Sequence, residues 1–339
     1  MRNLITLLIS AATVVYGYPN PMPCTGTCTN AHDPSLIRRD DGLFYRFSTG
    51  NRIAVHTAKS ITGPWIPKKQ AAIPNGSKIQ LAGNQDLWVS AGAPPVDVES
   101  YVDKIVQAPD VRKIGDKYYL YYAVSTPGSR NSAIGVATST NLDTWTDHGA
   151  TGISSTTRDN YNAIDGALHW DGTNFVMTFG SFWDNIFVIK MQYPPTRVMS
   201  GTTKVQIAHK PAGDHAQEAP FLVRIGDYHY LFFSAGNCCG YDKKIPEAGE
   251  EYKIQVCRSK TSTRNFVDMQ GTPCTQGGGT TVLKSHGYVY GPGGQGVFVD
   301  SGNSYLYYHY VDTRSGYGDG DKKFGINAID WSSGWPVLV

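Results

Sequence analysis

Short apolar runs, paired across glycine-containing turns, recur along this chain from residue 32 onward. Residues 32–47, HDPSLIRRDDGLFYRF, show the unit: a polar, Pro-containing start, a brief apolar strand, a polar turn with Gly, and an aromatic strand. Residues 107–123 (QAPDVRKIGDKYYLYYA), 163–180 (AIDGALHWDGTNFVMTFG), 217–234 (QEAPFLVRIGDYHYLFFS) and 291–309 (GPGGQGVFVDSGNSYLYYH) repeat it. Gly with Asp or Asn between two strand-like runs is a hairpin signal. A third alternating run follows in RIAVHTAKSITGPW (52–65), AIGVATSTNLDTW (133–145), YKIQVCRSKTSTRNF (252–266) and, shortened, FGINAIDW (324–331). Copies begin near residues 33, 110, 165, 218 and 292. That spacing suits one four-stranded blade per copy and predicts an all-β, five-bladed β-propeller. The strongest helix-like segment, IPEAGEEY (245–252), is short and reads as a blade insertion.

The N-terminus breaks the pattern. Arg2 precedes the apolar LITLLISAATVV, which is too short for a membrane span, and small-residue chemistry closes at Gly17. Residues 1–17 read as a secretory signal peptide and 18–339 as one propeller domain, secreted to the extracellular space. No later run predicts a membrane span. Composition agrees with strands and turns: Gly 37, Tyr 21 and 17% charged residues. The net charge of +2 comes without basic clustering, which argues against nucleic-acid or anionic-membrane partners; a monomer is expected. Six cysteines in a secreted chain point to disulfides. Cys257–Cys274 is the first pairing expected and Cys24–Cys28 the second, with adjacent Cys238 and Cys239 either bridged or free. Asn75-Gly-Ser77 is a glycosylation sequon.

Equivalent positions of a propeller converge on its axis, so differences between copies are informative. The copies start with Asp33, Asp110, Asp165 and Glu218, and the fifth with the Gly-rich 291–296. Glu is a poor turn former, so Glu218 needs a reason beyond the turn. Several carboxylates sharing one axial pocket repel each other, which favours keeping one protonated. Glycoside hydrolysis uses that arrangement: one carboxylic acid protonates the leaving oxygen and a second carboxylate acts across the sugar.

The runs HDPSLI, APDV, AIDG with GSFW (180–183), EAPFL and YYHY, in this order over about 30–339, resemble glycoside hydrolase family 43, above all its arabinan-cleaving members. The resemblance implies a five-bladed propeller cleaving internal α-1,5-L-arabinofuranosidic bonds with inversion. It implies Asp33 as general base, Glu218 as general acid, and Asp165 as the residue that orients Glu218 and raises its pKa. Where the family has Trp-Ala-Pro-Asp, this chain has Gln107-Ala-Pro-Asp110, and an insertion at 86–103 carries Trp88. Asp110 is read as structural or as support at the substrate site.

Aligning YLYYH with its counterparts puts His309 opposite Ala123, Ser234, Ser48 and Gly180, so one imidazole occupies an otherwise small-residue channel. The resemblance implies an ion there, calcium or another, held near His309 partly through water, which suits the weak affinity of imidazole for calcium; a hydrogen-bonded histidine without metal is the alternative. No organic cofactor is expected. Trp183 and Phe182 are candidate sugar platforms, and His32 and His215 candidate hydroxyl contacts. Gly291, Gly293 and Gly296 formally match G-x-G-x-x-G, but a strand follows where a dinucleotide site needs a helix. Exo action, a β-xylosidase or α-L-arabinofuranosidase specificity, and a non-catalytic sugar-binding propeller are the alternatives. A propeller lectin would repeat its binding residues in each blade, whereas these copies diverge.

Overall fold

The computed structural model describes residues 17–81, 106–126 and 128–339. The expected signal peptide (apart from Gly17) and Trp88 lie outside them. Five four-stranded antiparallel sheets follow one another. Blade one has β1 (Ser35–Arg38), β2 (Phe44–Ser48), β3 (Ala54–Ala58) and β4 (Ile66–Pro67). Blade two has β5 (Val106–Ile114), β6 (Lys117–Ser125), β7 (Ser132–Ser139) and β8 (Thr146–Ser155). Blade three has β9 (Ala167–Trp170), β10 (Phe175–Phe179), β11 (Ile186–Met191) and β12 (Val205–Ala208). Blade four has β13 (Gln217–Ile225), β14 (Tyr228–Ala235), β15 (Lys253–Ser259) and β16 (Thr280–Leu283). Blade five has β17 (Val289–Asp300), β18 (Asn303–Asp312), β19 (Lys323–Asp330) and β20 (Val337–Leu338). The first strands of neighbouring blades meet in a closed ring, β1–β5–β9–β13–β17–β1. No helix among the described residues is long and apolar enough to cross a membrane.

Strand alternation splits each sheet between two interfaces. Along β6, Tyr118, Leu120, Tyr122 and Val124 pack toward blade one, while Tyr119 and Tyr121 pack toward blade three. Along β10, Val176 turns to blade four and Met177 to blade two. The core therefore lies between blades. The ring is fastened by residues 18–31, which bond both blade five (Met22 N–H to Ile326 O, 2.8 Å) and blade one (Thr27 N–H to Trp65 O, 2.8 Å). Disulfides join Cys24–Cys28, Cys238–Cys239 and Cys257–Cys274. The first and last match the expected pairings, and the vicinal pair takes its bridged alternative. IPEAGEEY is no helix; it belongs to the turn-rich connection between β14 and β15.

Candidate active site

Pairing between the first two strands of each blade gives a common register. Ser35 faces Phe47, Asp110 faces Tyr121, Ala167 faces Thr178, Phe221 faces Phe232 and Gly296 faces Tyr307. Two residues earlier in each blade lies a residue of positive φ: Asp33 (45°), Ala108 (51°), Asp165 (58°), Ala219 (52°) and Gly294 (58°). One further back are His32, Gln107, Ile164, Glu218 and Gly293. The alignment of the four acids is therefore corrected. Asp33 and Asp165 are equivalent, Glu218 precedes their position by one, and Asp110 follows it by two. A left-handed residue at each blade start displaces the ladder locally, and an alanine in that conformation leaves no mark in the sequence.

The correction separates Asp110 from the other acids in role. It lines the axial cavity with Asp33 and Asp165. Its carboxylate, however, is buried and accepts from Leu168 N–H and Arg112 Nε, each at 2.9 Å. It ties blade two to blade three from the wall of that cavity. The channel ring also shifts by one residue in blade one: Thr49, not Ser48, stands with Ala123, Gly180, Ser234 and His309.

Each remaining acid has its own support. Asp33 Oδ2 accepts from Thr49 Oγ1 at 2.9 Å, and Thr49 Oγ1 accepts Ala108 N–H at 2.9 Å. The Asp33 N–H donates to His309 Nδ1 at 3.1 Å. Glu218 takes two hydroxyl donors, Ser181 Oγ at 2.6 Å and Tyr252 Oη at 2.8 Å. Asp165 Oδ2 accepts only the Ala219 N–H, at 3.0 Å, among the bonds described. Blade five contributes space: a Cβ on Gly294 would lie 2.7 Å from Asp33 Oδ1 and 2.6 Å from His309 Nδ1. The equivalent residues of the other blades adopt the same φ with a side chain, so it is this close approach that requires glycine there.

Burial raises the pKa of all three acids. Asp165 rises furthest, well above the usual carboxylate range, because the charges of Glu218 and Asp33 add to burial and only the Ala219 N–H opposes it. For Glu218 the Ser181 and Tyr252 hydroxyls hold the rise back, Asp33 adds to it, and the Lys322 ammonium opposes. Lys322 and Thr49 restrain Asp33 likewise. Lys322 is fully buried and lies 3.3 Å from both His32 Nε2 and Asp319 Oδ1. His32 Nε2 stands 3.5 Å from Asp33 Oδ1. Burial and the lysine charge hold the His32 imidazolium pKa well below normal, so the ring is neutral.

The remaining candidates are placed as follows. Phe182 and Trp183 lie half-buried on the β10–β11 loop beside Ser181, with Arg130 5.5 Å over the Trp183 ring. His215 stacks on His209 and bonds Lys210 O. His309 is fully buried against the Tyr252 ring, and its Nε2 has no hydrogen-bond partner. Because Nδ1 accepts the Asp33 N–H, the neutral ring carries its proton on Nε2. That nitrogen is then a donor, which fits a water between His309 and an ion but not a direct imidazole–metal bond. His32, Asp33 and His309 bring ligand atoms within 4.8 Å of one another.

Sequence reasoning missed Thr49, Ser181, Tyr252, Gly294 and Lys322 as participants. Ser181 stood within GSFW and Tyr252 headed the third strand of blade four, so both segments were visible but not their hydroxyl roles. Nothing distinguishes Lys322 from its neighbour Lys323 in the sequence.

Set beside known proteins, residues 87–336 match the model of Glycosyl hydrolases family 43. A relative from Aspergillus terreus, named "Probable arabinan endo-1,5-alpha-L-arabinosidase A", is 55% identical across 96% of each chain. Among solved structures, the exo-1,5-alpha-L-arabinanase from a bovine ruminal metagenomic library superposes with TM-score 0.77 at 29% identity, covering 94% of this chain and 99% of that one. The Cellvibrio cellulosa alpha-L-arabinanase complexed with arabinohexaose gives 0.75 at 29%, covering 92% and 96%.

Proposed function

This chain belongs to family 43 of the glycosyl hydrolases, and on that premise we propose that it is a secreted endo-1,5-α-L-arabinanase that cleaves arabinan with inversion. The observation that carries the reading is the unequal support of the axial acids. Glu218, raised by burial and held by two hydroxyl donors, is the general acid that protonates the leaving oxygen. Asp33, restrained by Thr49 and the lysine charge, is the base that takes a proton from the attacking water. Asp165, pushed highest by burial and then by the charges of Glu218 and Asp33, orients Glu218 by fixing the Ala219 backbone beside it and, through like-charge proximity, opposes ionisation of the acid. Family relatives at 50–55% identity carry the endo name, against 29% for the exo-acting structural neighbour, which favours internal cleavage.

An ion in the channel, calcium by its hard-oxygen chemistry, would be held through water by His309 and the Asp33 carboxylate, adding positive charge beside the acids. Metal analysis of purified protein, repeated for His309→Ala, checks this; metal content unchanged in the variant would remove His309 from the site.

Incubation with linear 1,5-α-L-arabinan tests the activity. Mixed-length oligosaccharides appearing early are expected, and a single short product from the outset would replace endo with exo action. NMR of the first product should show the β-anomer; the α-anomer would mean retention.

A further inference from the structure

The face that carries the acids is ringed by the described residues of the connections between second and third strands: 49–53, 126 with 128–131, 180–185, 236–252 and 313–322. Those of blades four and five are the longest, and they touch. Gly240 N–H lies 3.2 Å from Asp319 Oδ1, and Lys322 Nζ lies 3.4 Å from Cys239 Sγ. Together they wall one side of the acid face. In this wall is a cavity of about 450 Å³ bounded by Asp214, Cys239, Lys244, Ile245, Glu247 and Glu250, among others.

The cavity has two kinds of surface. One is apolar: Cys239 is exposed, Pro246 lines the cavity with it, and Ile245 is 51% exposed, an unusual solvent position for a branched aliphatic chain. The other is a rim of carboxylates and one ammonium, able to accept from and donate to hydroxyls. A bridge between adjacent cysteines closes a small ring of the chain and presents its two sulfurs as a compact apolar ledge. Sugar residues offer the matching pair of features, a C–H face and a hydroxyl edge. The wall also reaches the catalytic centre, since Cys239 Sγ lies 3.8 Å from His32 Nε2, and His32 Nε2 lies 3.5 Å from Asp33 Oδ1.

We infer that the Cys238–Cys239 disulfide and the cavity beside it form an arabinofuranosyl subsite, which holds a residue of the chain away from the bond being cut. This rests on the arabinanase reading. The subsite grips chain length and leaves the chemistry at the acids unchanged, so it acts on long substrates and is silent for short ones.

The test compares kcat/KM for a long linear arabino-oligosaccharide with that for the shortest one cleaved. Two variants are used: Lys244→Ala/Ile245→Ala, both at the loop surface, and Cys238→Ser/Cys239→Ser. Reading the ratio of long to short removes any general loss of catalysis. In each variant the ratio should fall about tenfold, equivalent to about 1.4 kcal/mol of lost binding. An unchanged ratio in either variant overturns the subsite and leaves the arabinanase reading standing. Wild-type protein inert toward every arabino-oligosaccharide overturns that reading and the subsite with it.

Discussion

Blades two and four begin almost alike, with Gln107-Ala108-Pro109 and Glu218-Ala219-Pro220, and their first strands share one burial pattern. Gln107 faces Ala123 in the register at which Glu218 faces Ser234. Backbone geometry therefore delivers both side chains to equivalent places. What differs is the company. Glu218 receives hydroxyls from Ser181 and Tyr252. The position matching Ser181 in the blade before Gln107 is Gly50, and the position matching Tyr252 is Ser132, whose hydroxyl donates to Asn162. Gln107 bonds Ser125 instead, at 2.8 Å. A neutral amide is satisfied by one local partner, whereas a buried carboxylate needs donors drawn from other elements. The propeller supplies equivalent positions, and donors from other elements decide which of them holds a buried carboxylate.

Making blade four resemble blade two should have the largest effect. Glu218→Gln is expected to lower kcat on linear arabinan by about a thousandfold, within the range for loss of an acid–base group. Near wild-type turnover would end the acid assignment. Asp33→Asn should fall by a similar amount. The same Glu218→Gln change should stabilise the fold. Glu218 has a raised pKa in the folded state, so its contribution to stability is complete below its unfolded value and is lost as pH rises through the folded value. At pH 7 the variant should melt roughly 2–4 °C higher, a gain of about 1 kcal/mol, and the gain should vanish near pH 4. Thermal melts at both pH values decide it.

The next effect comes from the glycine that makes room for the acids. Gly294→Ala puts a methyl group against Asp33 and His309 at a φ of 58°. Turnover should drop at least tenfold, with about 1–3 kcal/mol of stability lost to overpacking against the two side chains. A fully active, fully stable variant would show that the close approach is not required.

How far such contrasts could be seen in the sequence depends on their physical basis. The blades were legible because a half-buried strand writes its alternation locally and a tight hairpin demands Gly with Asp or Asn. Asp33, Asp165 and Glu218 were legible through the motifs around them. The register was not: APD in blade two and HDP in blade one align naturally by their Asp, yet Ala108 occupies the left-handed position that Asp33 fills. Nor were the donors. Ser181 and Tyr252 reach Glu218 from a different blade and a different strand, and Lys322 lies near His32 only because blade five closes against blade one.

Removing one donor should tune the acid without deleting it. The Tyr252 hydroxyl lowers the Glu218 pKa by stabilising the carboxylate, so Tyr252→Phe should raise it. A general acid loses activity as pH rises through its pKa, and the alkaline limb of kcat/KM should therefore move to higher pH. The plateau should fall about tenfold, as for loss of a hydrogen bond to a charged group. A limb unmoved, or moved to lower pH, would detach Tyr252 from the acid's ionisation.

The smallest effect is expected where blade two is made to resemble blade four. Gln107→Glu installs a carboxylate in equivalent backbone geometry, but Gly50 offers no hydroxyl and Ser132 is engaged with Asn162. Activity on linear arabinan should change by less than about twofold, since residues outside the acid–base set contribute little to the chemical step. The decisive form is the double variant Gln107→Glu/Glu218→Gln. If position alone made an acid catalytic, the relocated carboxylate would restore part of the lost turnover. If the donors make it so, the double variant should stay as inactive as Glu218→Gln. Any rescue above tenfold would show that the blades are interchangeable, and that the supporting hydroxyls only refine an assignment the propeller had already made.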